Sequence, residues 1–359
     1  YMKKTILKGI ITFIFSLLAF SLLGQNINLI RFNNTGNFTP GSGVSVIINP
    51  TGIFELDNQF ILELSDNTGL FTSPTILTTI NDFYVPAINA TLPNTLTPGN
   101  YKLRIRSTKP NLSVETANFN IVNGSTVIPP KVISYLLNAG NTSFNCISSG
   151  INDNNNLNCE NTPGANTFGK LDVSTNSFTS SLSQNERSLS ICNPNNESYF
   201  INLININSKT VTPLTITNND FILPDNLPIG TYVIESTKTI SNNSSVYSNI
   251  FLFHGNATNI NNSSSESVCI GNQVDFSIDI SASAIGRNYM GSKYSINFGD
   301  GSDNLEFTHA KLLDMFNNNQ NISHTFNDVS CSKGSGDNQG YFIVGIKLYN
   351  KVIYNSVNN

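Results

Sequence analysis

The chain has 359 residues, of which 39% are hydrophobic and 12% charged, with a formal net charge of −4. That length suits two or three domains of ordinary size. The acidic balance argues against nucleic acid as a partner, because phosphate binding needs a basic stripe that releases counterions.

In chain order, Lys3, Lys4 and Lys8 come before a mostly apolar run from Ile10 to Leu23, and Gln25 opens polar sequence. A charged start, a short greasy stretch and a small-residue exit predict a secretory signal peptide over residues 1–24. A membrane-spanning helix needs roughly 20 apolar residues, so no span is expected after signal removal. No Cys lies near the exit, and a lipid anchor is not expected. The protein is expected to be secreted or on the cell surface.

Residues 25–124 alternate. Val44, Val46 and Ile48 share one face, as do Phe60, Leu62 and Leu64. Tyr101, Leu103 and Ile105 point one way while Lys102, Arg104 and Arg106 point the other, and Phe119 and Ile121 close the series. Period-two patterning punctuated by Gly, Pro, Asn and Asp predicts half-buried antiparallel strands. Several in about 100 residues make a sandwich. The basic trio reads as the solvated face of one strand.

Ser125 to Pro130 reads as a linker. Residues 125–262 repeat the theme around an Asn-rich insertion from Asn141 to Thr167, with Tyr199, Ile201 and Leu203 alternating, then Tyr232 and Ile234. Leu92-Pro93, Leu96, Gly99 and Tyr101 each recur 131 residues later, as Leu223-Pro224, Leu227, Gly230 and Tyr232. Leu-x-x-Gly-x-Tyr leading into a strand predicts a tyrosine corner in each copy. In such a corner the hydroxyl bonds back to the upstream backbone and Gly supplies turn freedom. Tyr101, Tyr232, Gly99 and Gly230 are therefore assigned structural roles.

In residues 263–359, Val274, Phe276, Ile278 and Ile280 alternate, then Tyr294, Ile296 and Phe298, then Phe342, Val344, Ile346 and Leu348. Only Thr308 to Phe316 suggests a short helix.

An exported chain meets oxidising conditions, so its five cysteines raise the question of disulfides. Cys269 and Cys331 are placed to bridge the last module. Cys146 and Cys159 flank the Asn-rich loop as a second candidate pair, and pairing of the leftover Cys192 with either stays open. No Cys-x-x-Cys occurs, and His254, His309 and His324 lack ligand spacing. Asp300, Asp303 and Glu306 form the one local acidic cluster. An EF-hand fails there, since Leu305 and Lys311 stand where Gly and Glu are needed. An irregular calcium site competes with the simpler reading that Asp300 caps its own turn. No Gly-x-Ser-x-Gly elbow, His-Glu-x-x-His helix or Walker loop occurs, so no catalytic residues and no cofactor are expected.

Two resemblances follow from particular segments. Leu64-Ser65-Asp66-Asn67-Thr68-Gly69-Leu70-Phe71, Ile88 to Pro93 and Gly99-x-Tyr101-x-Leu103-Arg104-Ile105-Arg106-Ser107 resemble an immunoglobulin-like repeat of Bacteroidetes surface proteins. Tyr294 to Ser302, with its Gly-Asp-Gly turn, and Ile322-Ser323-His324-Thr325-Phe326 resemble the PKD fold. Cys269-Ile270-Gly271 and Cys331 fit a subgroup of that family, and His324 matches its structural strand histidine.

The resemblances imply an all-β fold of tandem immunoglobulin-like β-sandwich domains, the last PKD-like. They also imply a non-catalytic adhesin-like or gliding-associated surface protein whose modules are adhesive or spacer units. The ligand would be an unknown surface protein or glycan. Asn359 follows no recognisable sorting domain, so either the chain is the N-terminal part of a larger protein or export takes another route. The short remainder after Tyr354 favours the larger protein. An alternative is the accessory binding region of a secreted polysaccharide- or protein-degrading enzyme whose catalytic domain lies elsewhere.

Overall fold

The computed structural model describes residues 24–128, 133–139, 142–145, 151–152, 156–157, 169–173, 188–191, 198–217, 220–224, 227–228, 230–255, 270–276, 290–330 and 340–350. The expected signal peptide, all five cysteines and most of the Asn-rich insertion lie outside them. So do Ile278 and Ile280.

The first module has nine strands: β1 (Asn26–Phe32), β2 (Gly43–Thr51), β3 (Gln59–Leu64), β4 (Thr75–Asn81), β5 (Ala87–Thr91), β6 (Gly99–Tyr101), β7 (Leu103–Thr108), β8 (Asn111–Glu115) and β9 (Phe119–Ile121). They form sheets in the orders β1-β2-β5, β4-β3-β7-β8 and β6-β9. The alternating apolar residues explain the core: Val44, Val46, Ile48, Phe60, Leu62, Leu64, Leu103 and Ile105 are all buried. Each such side chain withdrawn from water contributes about 1.5–3 kcal/mol. The chain changes sheets at Lys102, between β6 and β7, where the Ser65 hydroxyl accepts from the Lys102 amide at 2.8 Å.

The second module contains β10 (Ile133–Ala139), β11 (Thr142–Asn145), β12 (Ile151–Asn152), β13 (Asn156–Leu157), β14 (Gly169–Val173), β15 (Ser188–Ile191), β16 (Tyr199–Asn205), β17 (Val211–Leu214), β18 (Ile216–Thr217), β19 (Asp220–Ile222), β20 (Gly230–Ile240) and β21 (Asn243–Gly255). Two five-stranded sheets run β11-β10-β15-β19-β18 and β14-β21-β20-β16-β17, and β12 pairs with β13 alone. Strand β14 runs parallel to β21, and the remaining pairs are antiparallel. A two-residue turn joins β20 to β21. Ser241 and Asn242 there have φ of 48° and 68°, the geometry that matches the twist of a tight hairpin.

The first two modules pack face to face. Register places Arg31, Ile47, Ser45 and Asn89 on one side of β1-β2-β5, away from the first core. The sheet holding β20 and β21 covers that side. Ile204, Ile206, Val233, Val246 and Ile250 belong to one continuous hydrophobic cluster with Ile47 and the first core. The Ser45 hydroxyl donates to the Ser248 hydroxyl at 2.7 Å, and Asn89 exchanges two hydrogen bonds with the Ser248 backbone. The tip of the β20–β21 hairpin bonds to the Asn37 backbone through Asn242 and Ser244. Sheet β1-β2-β5 is thus the middle of three layers.

Glu235 of β20 is buried in this interface and accepts from donors on both sides. Arg31 reaches it at 2.9 Å, Asn33 at 3.3 Å and Asn202 at 3.1 Å. Burying an ion pair costs desolvation of similar size to the attraction gained. Because its donors come from both modules, Glu235 is fully satisfied only when the two stand in this register.

The third module contains β22 (Gln273–Phe276), β23 (Ser292–Asn297), β24 (Leu305–Thr308), α1 (His309–Asn317), β25 (Ile322–Thr325) and β26 (Gly345–Asn350). Its sheets are β22-β25 and β24-β23-β26, closing over Tyr294, Ile296, Phe298, Phe307, Leu312, Ile322 and Phe326. The Thr308 side chain caps α1 by accepting from the Lys311 amide at 3.2 Å. Among the described residues, no helix is long and apolar enough to cross a membrane.

Candidate functional site

The repeated Gly-x-Tyr positions are equivalent in bonding and unequal in space. The Tyr101 hydroxyl donates to the Thr97 carbonyl at 2.8 Å, and that of Tyr232 to the Pro228 carbonyl at 2.7 Å. A Cβ on Gly99 would lie 2.6 Å from the Asn67 carbonyl oxygen, whereas at Gly230 nothing comes closer than 3.8 Å. Gly99 is needed for a close backbone approach, and Gly230 is not.

The outer face of β4-β3-β7-β8 carries a charged group. Glu63 on β3 lies opposite Arg104 on β7, and its side chain is only 4% exposed. The Arg104 guanidinium reaches Glu63 Oε2 at 2.7 Å and that of Arg106 reaches Oε1 at 3.3 Å. Arg104 also lies over the Phe71 ring, 4.4 Å from its centre. Lys102, next along the strand face, pairs with Glu115 at 3.3 Å. The basic trio stood out in the sequence as a solvated face. Glu63 did not, although an acid between Leu62 and Leu64 on the outward side of a strand was a signal for a charge partner across the sheet.

In the third module the Gly-Asp-Gly turn sits against the His-Thr-Phe strand. Gly299 and Gly301 have φ of 77° and 90°, and a Cβ at Gly299 would lie 2.6 Å from the Ile343 carbonyl oxygen. Asp300 Oδ1 accepts from the Ser302 amide and hydroxyl at 3.0 and 2.6 Å, and Oδ2 lies 2.7 Å from His324 Nε2. Phe298 stacks on the His324 ring at 3.8 Å, and Phe326 meets it edge-on at 4.6 Å. Burial alone would raise the Asp300 carboxyl, but the hydrogen bonds from Ser302 and His324 outweigh it and hold the group at about 2.

Two of the three acids considered for calcium are engaged elsewhere. Asp300 is engaged by Ser302 and His324, and Glu306 pairs with Lys293 at 2.9 Å across β23 and β24. Among the described residues no three His, Cys, Asp or Glu side chains are grouped to hold a metal ion, Asp303 included. His309 bonds to the Tyr294 hydroxyl at 2.9 Å in the third core. The Cys269–Cys331 and Cys146–Cys159 pairings, Cys192 and the side chain of His254 lie outside the described residues.

No protein family matches the sequence, and no curated protein is similar to it. Among solved structures, the chain is similar to the FN1–FN3 domains of chicken CNTN1, at 11% identity, covering 63% of this chain and 65% of that one with a TM-score of 0.22. Three N-terminal domains of the highly immunogenic outer capsid protein of bacteriophage RB49 match at 12% identity over 79% of each chain, with a TM-score of 0.20. A marsupial T cell receptor matches at 10% identity, over 61% of this chain and 60% of that one, with a TM-score of 0.18. The chain therefore spans less than two thirds of the CNTN1 and receptor chains. The fold is defined by strand order and packing. By these, the chain is an all-β protein of tandem immunoglobulin-like β-sandwich modules.

Proposed function

We propose that this chain is a non-catalytic protein of the cell exterior whose modules hold and present a binding surface at a distance. The observation that carries this reading is the packing of the first two modules. Two sandwiches joined by a linker alone would swivel. Here one apolar cluster runs through both, and the buried Glu235 takes donors from each. A stiff pair transmits position and force better than a hinged one, which is what a spacer requires.

The apolar run after the leading lysines supports export. The resemblance to Bacteroidetes surface repeats and to the PKD fold supports an adhesive setting. Protease shaving of intact cells, followed by immunoblotting against residues 26–359, tests the location. The expected result is loss of the band without lysis. A band that survives on intact cells and disappears only after lysis would place the protein inside and overturn the proposal.

A further inference from the structure

The outer face of β4-β3-β7-β8 holds donors that the fold leaves unused. Ile76, Glu63, Arg104 and Glu115 form one row across the four strands. Glu63 supplies one negative charge against the two guanidinium groups that cover it, so one positive charge remains. Their Nε and Nη2 groups are directed at Glu63. Among the described residues nothing accepts from either Nη1 group. Phe71 beneath Arg104 fixes the plane of its fork, which lowers the ordering cost of a further bond. Leu70 and Ile76, both from the β3–β4 side, are 57% and 58% exposed.

We propose that this face binds an extended acidic peptide segment with an apolar residue beside its carboxylates. Arg104 and Arg106 stand two residues apart on one strand face, a repeat of about 7 Å. Carboxylates at alternate positions of an extended peptide have the same spacing. Planar guanidinium forks bind carboxylates through paired hydrogen bonds, and Leu70 and Ile76 offer the neighbouring apolar contact. One excess positive charge is too little to drive polyanion binding by counterion release, which favours a peptide over a sulfated glycan. The inference is independent of the spacer reading: either can fail while the other stands.

The test is fluorescence polarisation with the full chain and a labelled peptide carrying two glutamates at alternate positions and a flanking leucine. The control peptide has lysines in place of the glutamates. Saturable binding of the glutamate peptide alone is expected, weakening as salt rises from about 0.05 to about 0.5 M. Arg106→Gln should weaken it about tenfold or more, with an unchanged melting midpoint because Arg104 still neutralises Glu63. If that variant melts early, Leu70→Ser at an exposed position replaces it, with an expected loss of about threefold. No binding at about 1 mM peptide would overturn the proposal. Equal binding of the lysine peptide, or unchanged affinity in a stably folded variant, would do the same. So would capture of a sulfated glycan by a face that ignores the peptide.

Discussion

Gly99 and Gly230 precede the two corner tyrosines at the same spacing, yet a methyl group would meet different surroundings at each. At Gly99 it would run into the Asn67 backbone, which cannot swing aside as a side chain can. Gly99→Ala should therefore cost about 1–3 kcal/mol, as overpacking does. Gly230→Ala should be neutral or stabilise by up to about 1 kcal/mol through a less flexible unfolded chain. Denaturant melts of the two variants give the comparison, and equal losses would contradict the spatial argument. Asp300 makes a prediction in pH. An unfolded Asp titrates near 3.9, and the folded group is held at about 2. Because the folded value is the lower one, the stabilisation is complete above about pH 4 and is lost as pH falls towards 2. The melting midpoint of the third module should drop across that window, and Asp300→Asn should flatten the drop.

At the scale of strands, alternation made the all-β class readable, and the helix from His309 to Asn317 falls within a residue of its expected place. The corner tyrosines were legible because the spacing repeats. What alternation hid was the second cover over β1-β2-β5. Ile47 interrupts the alternation of β2, and Val233 sits between Tyr232 and Ile234. Those runs were the available signal that both faces are buried. Glu235, Ser45 and Asn89 went unmarked, because a polar residue satisfied across an interface looks the same in sequence as one facing water. The Arg31–Glu235 pair can be tested as such. Glu235→Ala leaves Arg31 half-buried without its partner and should cost about 3 kcal/mol, the low end for a broken buried pair. The double replacement Arg31→Met with Glu235→Leu should cost less than that single change, since well-packed apolar groups replace buried pairs at little loss. Chemical denaturation of the three proteins decides it. A double variant weaker than Glu235→Ala would mean that the pair stabilises outright.

For the whole molecule, continuity of the first two cores predicts cooperative behaviour. In scanning calorimetry the first two modules should melt as one transition, with the third free to melt separately. Two separable transitions within residues 25–255 would show that the shared cluster couples them only weakly. The middle layer has a further consequence for how this chain can change. In β7, buried and half-exposed residues alternate from Leu103 to Thr108, so every second position is freer to vary, Arg104 and Arg106 being restrained only by the Glu63 that they share. In β2, every residue from Gly43 to Ile48 is buried, because each side of the strand is the inside of something. A mutational scan scored for folded protein should therefore find tolerance with a period of two along β7 and almost none along β2. A strand with two interiors has no outside on which to vary.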